Sequence, residues 1–299
     1  MSTLTLADVD KKLEDLPLLP SVVARLLALS PRDEEYFEKV VALAKEDPPF
    51  ALRVIRLSNA ASSSPASVIS DIQRAVVRVG AHQISGLIAS MAVMRVFFPR
   101  TQREKNMWVH AIRTAVAAKA IARMMPSLIV DPEEAYLCGL LSDVGRFVLM
   151  DIVPKKAGYE DKNDWVPSRE LVDIELQIYG FDHAELGARV CNKWNMPAVV
   201  TAVVRNHHRF ELPKHVSNDA KLANVIRVVQ MGDAFGAFLI LNPESSTWDS
   251  PRLLESLEEE CIEKCCSAPV ATAQQLATNL EKILIESDHI ISGLGIAIQ

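Results

Sequence analysis

The spacing of apolar residues narrows the fold more than any other feature of this chain. In "YFEKVVALAKED" (36–47) they recur at intervals of three and four, the period of one helical face, and the run stops at Pro48-Pro49. The same period returns along most of the chain, and no stretch sustains the alternation of a half-buried strand. Asn-Gly and Asp-Gly, the strongest short hairpin signals, do not occur, and glycine is scarce at 11 of 299 residues. These patterns predict an all-α fold. Start and stop signals agree. "SDIQRAVVRVG" (70–80) offers Ser70 and Gln73 as a capping box and ends on Gly80. Asp182 and Glu185 stand in the same relation in "DHAELGARVCNKW", and Pro197 suits a first helical position after Asn195.

Two segments, "QISGLIASMAVMRVFF" (83–98) and "TAVAAKAIARMM" (114–125), are apolar on more than one side and are expected to be largely buried. Breaks at 97–106 ("FFPRTQREKN") and 241–251 ("LNPESSTWDSP") divide the chain into three parts. Residues 1–100 form an N-terminal helical subdomain, 101–240 a second helical subdomain on which it packs directly, and 241–299 a C-terminal helical extension. The polar, proline-bounded stretch 154–167 reads as a surface loop.

Composition excludes several classes of function. Net charge is -6, the pI is near 5.7 and there is no Lys/Arg cluster, which argues against a nucleic-acid partner. An acidic surface also disfavours anionic membranes. No run of about 18 apolar residues occurs, and the opening residues lack the basic end and apolar core of a secretory signal. Five cysteines without framework spacing (Cys138, Cys191, Cys261, Cys265, Cys266) read as reduced thiols in a cytoplasm. "CIEKCC" places Cys261 and Cys265 on one helical face, but two thiolates alone do not make a zinc site.

Residues 101–240 carry a series of groups with metal-binding lone pairs: His110, Asp143, His183, His207, His208 and Asp233. Asp143 and Asp233 interrupt strongly apolar surroundings. A buried carboxylate is costly unless it is paired, hydrogen-bonded or bound to metal. Each residue also has a plainer reading. His110 suits a hydrogen-bonded core histidine, His183 an exposed first-turn residue, and His207 or His208 a C-terminal cap that favours the helix dipole. Asp143 suits backbone hydrogen bonding, and Asp233 a pair with arginine. Taken one at a time, these readings are the more economical.

Taken in order, the contexts resemble a known family. "LPLLPSVVARLLAL", "EDPPFALRVIRLSNAA", "VISDIQRAVVRVGAHQI" (with Val79 at a usual Leu position), "AYLCGLLSDVGRFVL", "YGFDHAELGARVCNKWNMP" and "AVVRNHH" resemble successive elements of the HDOD domain, a bacterial branch of the HD superfamily, over roughly residues 13–240. The resemblance implies a multi-helical HD-like bundle with an N-terminal helical subdomain packed against it, and a regulatory role in bacterial signalling. It also implies that the six residues above form one metal site.

One departure stands out. Ser142 precedes Asp143 where catalytic HD proteins have histidine. A serine hydroxyl is a poor ligand beside imidazole, so one metal position loses a donor. Arg146 stands where HD-GYP phosphohydrolases commonly have lysine, and no Gly-Tyr-Pro tripeptide occurs. The resemblance therefore implies a non-catalytic module acting through other signalling proteins, with neither catalytic nor cofactor-binding residues assigned. The retained donors imply at most a single divalent ion, Fe, Mn or Zn. A metal-dependent phosphohydrolase acting on a nucleotide or cyclic dinucleotide, or a metal-binding sensor, is the alternative. Self-association into a homo-oligomer is left open.

Overall fold

A computed structural model describes residues 6–17, 34–60, 69–152, 168–263 and 269–296. Most of "LPLLPSVVARLLAL", the expected loop 154–167, Cys265 and Cys266 lie outside the described residues. Among the described residues there is no strand, and the fold is an all-α bundle. In chain order the helices are α1 (Leu6–Glu14), α2 (Tyr36–Glu46), α3 (Pro48–Ala60), α4 (Ile72–Val79), α5 (Ala81–Val96), α6 (Gln102–Met124), α7 (Pro132–Leu141) and α8 (Val144–Ile152). They continue as α9 (Ser168–Tyr179), α10 (His183–Lys193), α11 (Ala198–Asn206), α12 (Lys214–Ser217), α13 (Ala220–Leu241), α14 (Ser250–Leu257) and α15 (Ala273–Leu294).

Aspartates start many of these helices. Asp131, Asp182, Asp219 and Asp249 each accept from a backbone N–H two or three residues on, at 2.7–3.2 Å. A capping side chain of this kind is worth about 1 kcal/mol. At α4 the cap is Asp71, which accepts from Arg74 N at 2.9 Å, and not the expected Ser70. A carboxylate both caps the N–H groups and answers the positive end of the helix dipole. Pro197 likewise sits one position earlier than expected, as the N-cap of α11, after Asn195 has taken a left-handed φ of 52°. Helix α6 begins within the expected break at 97–106, with a reciprocal capping box between Thr101 and Glu104.

The chain forms two compact units. One comprises residues 18–100 with 282–299. In it Asp47 caps α3 through Phe50 N at 3.2 Å and pairs with Arg95. Asn59 clasps Ile69 by two bonds, donating to its carbonyl at 2.8 Å and accepting from its N–H at 2.9 Å. The Asp-Pro and Asn positions of "EDPPFALRVIRLSNAA" thus serve architecture.

The other unit comprises residues 1–17 with 101–281. Its boundaries differ from the three segments expected. Residues up to Pro17 group here because Arg189 of α10 pairs with Asp10 at 2.6 Å and Trp194 donates to the Pro17 carbonyl at 3.1 Å. Residues 241–299 are divided between the two units. Helix α6 is the axis of this unit, buried on nearly every side from Met107 to Ala122, with α7 and α13 against it. Helix α13 is long and apolar enough to cross a membrane by length and composition, but 67% of its most apolar window is buried as core.

Small residues let these helices meet at backbone distance. A Cβ built on Gly232 of α13 would lie 2.9 Å from Ala118 N, and one on Gly236 2.7 Å from Thr114 Oγ1, both on α6. The tightest approach is at Gly145, where a Cβ would fall 1.9 Å from the His183 carbonyl oxygen and 2.7 Å from Gly187 N. The first turn of α8 therefore rests on the backbone of α10. Gly145→Ala should force the two helices apart and cost roughly 2–3 kcal/mol. Chemical denaturation of the variant checks this, and a loss below about 0.5 kcal/mol, the range of ordinary surface changes, would contradict the close approach.

Candidate metal centre

The helices of the 101–281 unit bring all six sequence-selected residues together. His110 projects from mid α6 and Asp233 from mid α13. Asp143 lies in the turn between α7 and α8, and His183 is the first residue of α10. His207 caps the C-terminus of α11, with His208 next in chain. All but His208 are at most 4% exposed.

Asp143 joins two groups. In the first, donor atoms of Asp143, His183, His207 and His208 lie within 4.8 Å of one another. His183 Nε2 is 3.3 Å from Asp143 Oδ1, His207 Nε2 is 4.0 Å from the same oxygen, and His208 Nε2 is 2.9 Å from His183 Nε2. In the second group, His110 Nε2 stands 2.8 Å from Asp233 Oδ1 and 3.1 Å from Asp143 Oδ2.

Hydrogen bonds at the far side of two rings set their tautomers. His207 Nδ1 donates to the Val204 carbonyl at 2.7 Å, and His183 Nδ1 donates to Glu175 Oε2 at 2.6 Å. In the neutral rings the lone pairs are therefore on Nε2, facing Asp143. His207 Nε2 is buried without a hydrogen-bond partner, an arrangement that is costly unless something accepts its lone pair. Imidazole nitrogens with one carboxylate suit Zn, Fe or Mn. The residues present fit a divalent cation, held by Asp143, His183, His207 and His208.

The second group is arranged differently. The two carboxylates share His110 Nε2 as their hydrogen-bond donor. Burial opposes charge on His110, but its bonds to Asp143 and Asp233 outweigh that and push its pKa up to about 9. Burial likewise opposes charge on Asp143, yet the His110 hydrogen bond and the Arg146 guanidinium, 3.9 Å away, hold it well below the usual carboxylate range. His207 is pushed down by burial. His208 keeps part of its surface exposed, but its ring is enclosed by those of His207 and His183 at 3.8 and 4.8 Å; burial and those neighbours push it well down. His183 is pushed up: burial opposes its charge, and the Glu175 carboxylate prevails.

Ser142 is fully buried and its hydroxyl is engaged within its own helical turn. Its hydroxyl donates to the Gly139 carbonyl one turn back, at 2.9 Å. Cys138 and Cys191 are buried too; burial pushes the Cys191 thiol up to about 12 and that of Cys138 well above its ordinary range. Neither is a ready metal ligand.

Sequence reasoning missed two residues. Glu175, 4% exposed, binds both the ring and the backbone N–H of His183. Its signal was a charged residue at apolar spacing from Leu171 in "LVDIELQIY". Gln230, also 4% exposed, donates to the Asn206 and Arg209 carbonyls at 3.4 and 3.0 Å, one on either side of His207-His208. Its signal was one amide in the apolar run "VIRVVQM".

The family model of the HDOD domain matches residues 16–210. The chain belongs to the HDOD domain family. An uncharacterized protein of Treponema pallidum (strain Nichols) is 28% identical over 207 residues, which is 68% of this chain but 39% of that protein. This HDOD chain therefore spans well under half the length of that relative. Among solved structures, an HDOD domain protein of unknown function from Geobacter sulfurreducens superposes with a TM-score of 0.64 at 19% identity, covering 94% of this chain and 96% of its own. A presumed phosphohydrolase from Shewanella amazonensis SB2B superposes with a TM-score of 0.62 at 22% identity, covering 96% and 97%. At such identities the shared property is the HD-like fold.

Two outcomes are expected at this centre. Ser142→Ala should leave divalent-metal affinity unchanged, with a stability loss of about 1 kcal/mol for the buried hydrogen bond; His207→Ala should lower the affinity by at least tenfold. Calorimetric titration of the metal-free protein distinguishes them. Affinity should also rise with pH through neutrality, because Glu175 favours the protonated form of His183 and that Nε2 proton must leave for a metal to bind. The slope is roughly tenfold per pH unit for each proton displaced. A pH-independent affinity between about pH 6 and 8 would show that no imidazole proton is exchanged for the metal.

Proposed function

We propose that this chain is a non-catalytic signalling module of HDOD type that acts through other proteins, and that its centre holds one divalent ion for order, not for turnover. The observation that carries this reading is the commitment of Ser142. Its buried hydroxyl donates to Gly139 within its own helical turn, and a serine oxygen is a poor metal ligand, so the position beside Asp143 supplies no imidazole donor. Asp233 and the second oxygen of Asp143 are engaged with His110. That leaves Asp143 Oδ1 with His183, His207 and His208 as one complete donor set.

A bound divalent ion supplies Lewis acidity and a hydroxide near neutral pH. Phosphoester hydrolysis of the two-metal kind also needs the attacking and leaving oxygens stabilised together, and losing half of that clamp penalises the transition state more than binding. The enclosure of five of the six residues further favours a held ion over a processed substrate. Hydrolysis of a nucleotide or cyclic dinucleotide is the second reading, favoured by the retained donors and by the fold shared with the presumed phosphohydrolase of Shewanella amazonensis SB2B. The acidic net charge of -6 fits protein partners better than nucleic acid.

The test is to assay wild type and Ser142→His against cyclic dinucleotides and a generic phosphodiester, with Mn²⁺ or Fe²⁺ supplied. The wild type is expected to show no metal-dependent turnover, and a gain of activity in Ser142→His alone would support a site converted from catalysis to scaffold. Robust turnover by the wild type would overturn the proposal and put the hydrolase first.

A further inference from the structure

We propose that Glu175 is the positioning residue of this centre, and that through it a divalent cation bound at His183 also fastens helix α9. The inference rests on the single-ion reading above and extends it to an element that supplies no ligand. One carboxylate oxygen of Glu175 accepts both from His183 Nδ1 at 2.6 Å and from the His183 backbone N–H at 2.8 Å. The first bond leaves the lone pair of the neutral ring on Nε2, toward Asp143; the second fixes the first residue of α10. A histidine whose far nitrogen is held by a carboxylate is oriented for a metal and made more basic toward it.

Helix α9 is otherwise lightly anchored. Between Leu171 and Tyr179 the buried residues are Leu171 and Glu175, while Leu176 and Ile178 are 44% and 37% exposed. A carboxylate at an apolar-face position of a helix with so little core is expensive to bury unless its partner repays it. Here that partner is a histidine facing the ion site. Relative to the neutral ring, a cation on Nε2 draws electron density away and makes Nδ1–H a stronger donor, so above the pH at which His183 has lost its Nε2 proton, where the exchange experiment is run, occupancy of the centre tightens the bond that seats α9. The chain thus has a route by which an ion buried among α8, α10 and α11 is felt at an exposed helix.

The experiment pairs two readouts on the full chain, both independent of catalysis. Zn²⁺ affinity is measured by calorimetry, and backbone hydrogen exchange of residues 168–179 is followed with and without Zn²⁺. The proteins are wild type, Glu175→Ala, Glu175→Gln and, as a charge control on the exposed side of α9, Asp173→Asn. Glu175→Ala should bind Zn²⁺ about 10–100-fold more weakly. Glu175→Gln, which keeps an acceptor oxygen, should recover most of that loss, and Asp173→Asn should match wild type. Zn²⁺ should slow exchange in α9 several-fold in wild type, and in Glu175→Ala at saturating Zn²⁺ it should slow α10 but not α9. Wild-type affinity in Glu175→Ala, or equal slowing of α9 in both proteins, would overturn the role of Glu175. A wild type that takes up no Zn²⁺ would instead overturn the single-ion reading beneath it.

Discussion

The buried carboxylate of Asp143 is the constraint around which this half of the molecule is organised. At 2% exposure it cannot be left to itself, because an unpaired ionised group in such surroundings costs several kcal/mol. Four side chains answer it: His110 from α6, His183 from α10, His207 from the end of α11 and Arg146 from α8, the helix that follows it. Each brings a helix with it. The centre is therefore as much a packing hub as a binding site, and its residues would persist for stability even where chemistry has gone.

Close helix approach makes the hub geometrically feasible. Asp143 and His183 stand 3.3 Å apart because Gly145 and Gly187 let α8 and α10 touch along their backbones. His110 and Asp233 meet at 2.8 Å because Gly232 and Gly236 admit α6 to the surface of α13. A methyl group at either place would meet backbone or side-chain atoms of the facing helix at 2.9 Å or less and strain this close approach. Glu175 and Gln230 complete the arrangement from outside, one holding a ring and the other holding the turn that carries two rings.

Ser142 changes the character of the hub without disturbing it. The hydroxyl fits within the α7 turn and donates to the Gly139 carbonyl, so the serine's own polar group is satisfied. What changes is the donor inventory: one carboxylate pair is bridged by His110, and one set of three imidazoles and a carboxylate oxygen is left facing inward.

Much of this was legible in the residues themselves. The helical period and the Asp182 cap follow from local rules, because helix propensity, capping and turn chemistry act over a few residues; the same rules misplaced the α4 cap by one residue, at Ser70 and not Asp71. The six donors were legible as a set only through their order and contexts, since His110 and Asp233 are 123 positions apart and no spacing rule links them. Tertiary structure alone decided that Asp143 serves two groups and that His110 bridges two carboxylates. It also decided that Ser142 turns back into its helix and that Glu175 reaches His183 from an exposed helix. The grouping of residues 6–17 with the unit of residues 101–281 belongs to the same class of fact, as do the points where glycine permits backbone contact. The physical reason is common to all of them: hydrogen bonding and electrostatics at a buried site depend on distances of 3–4 Å between groups that the chain brings together only when it is packed.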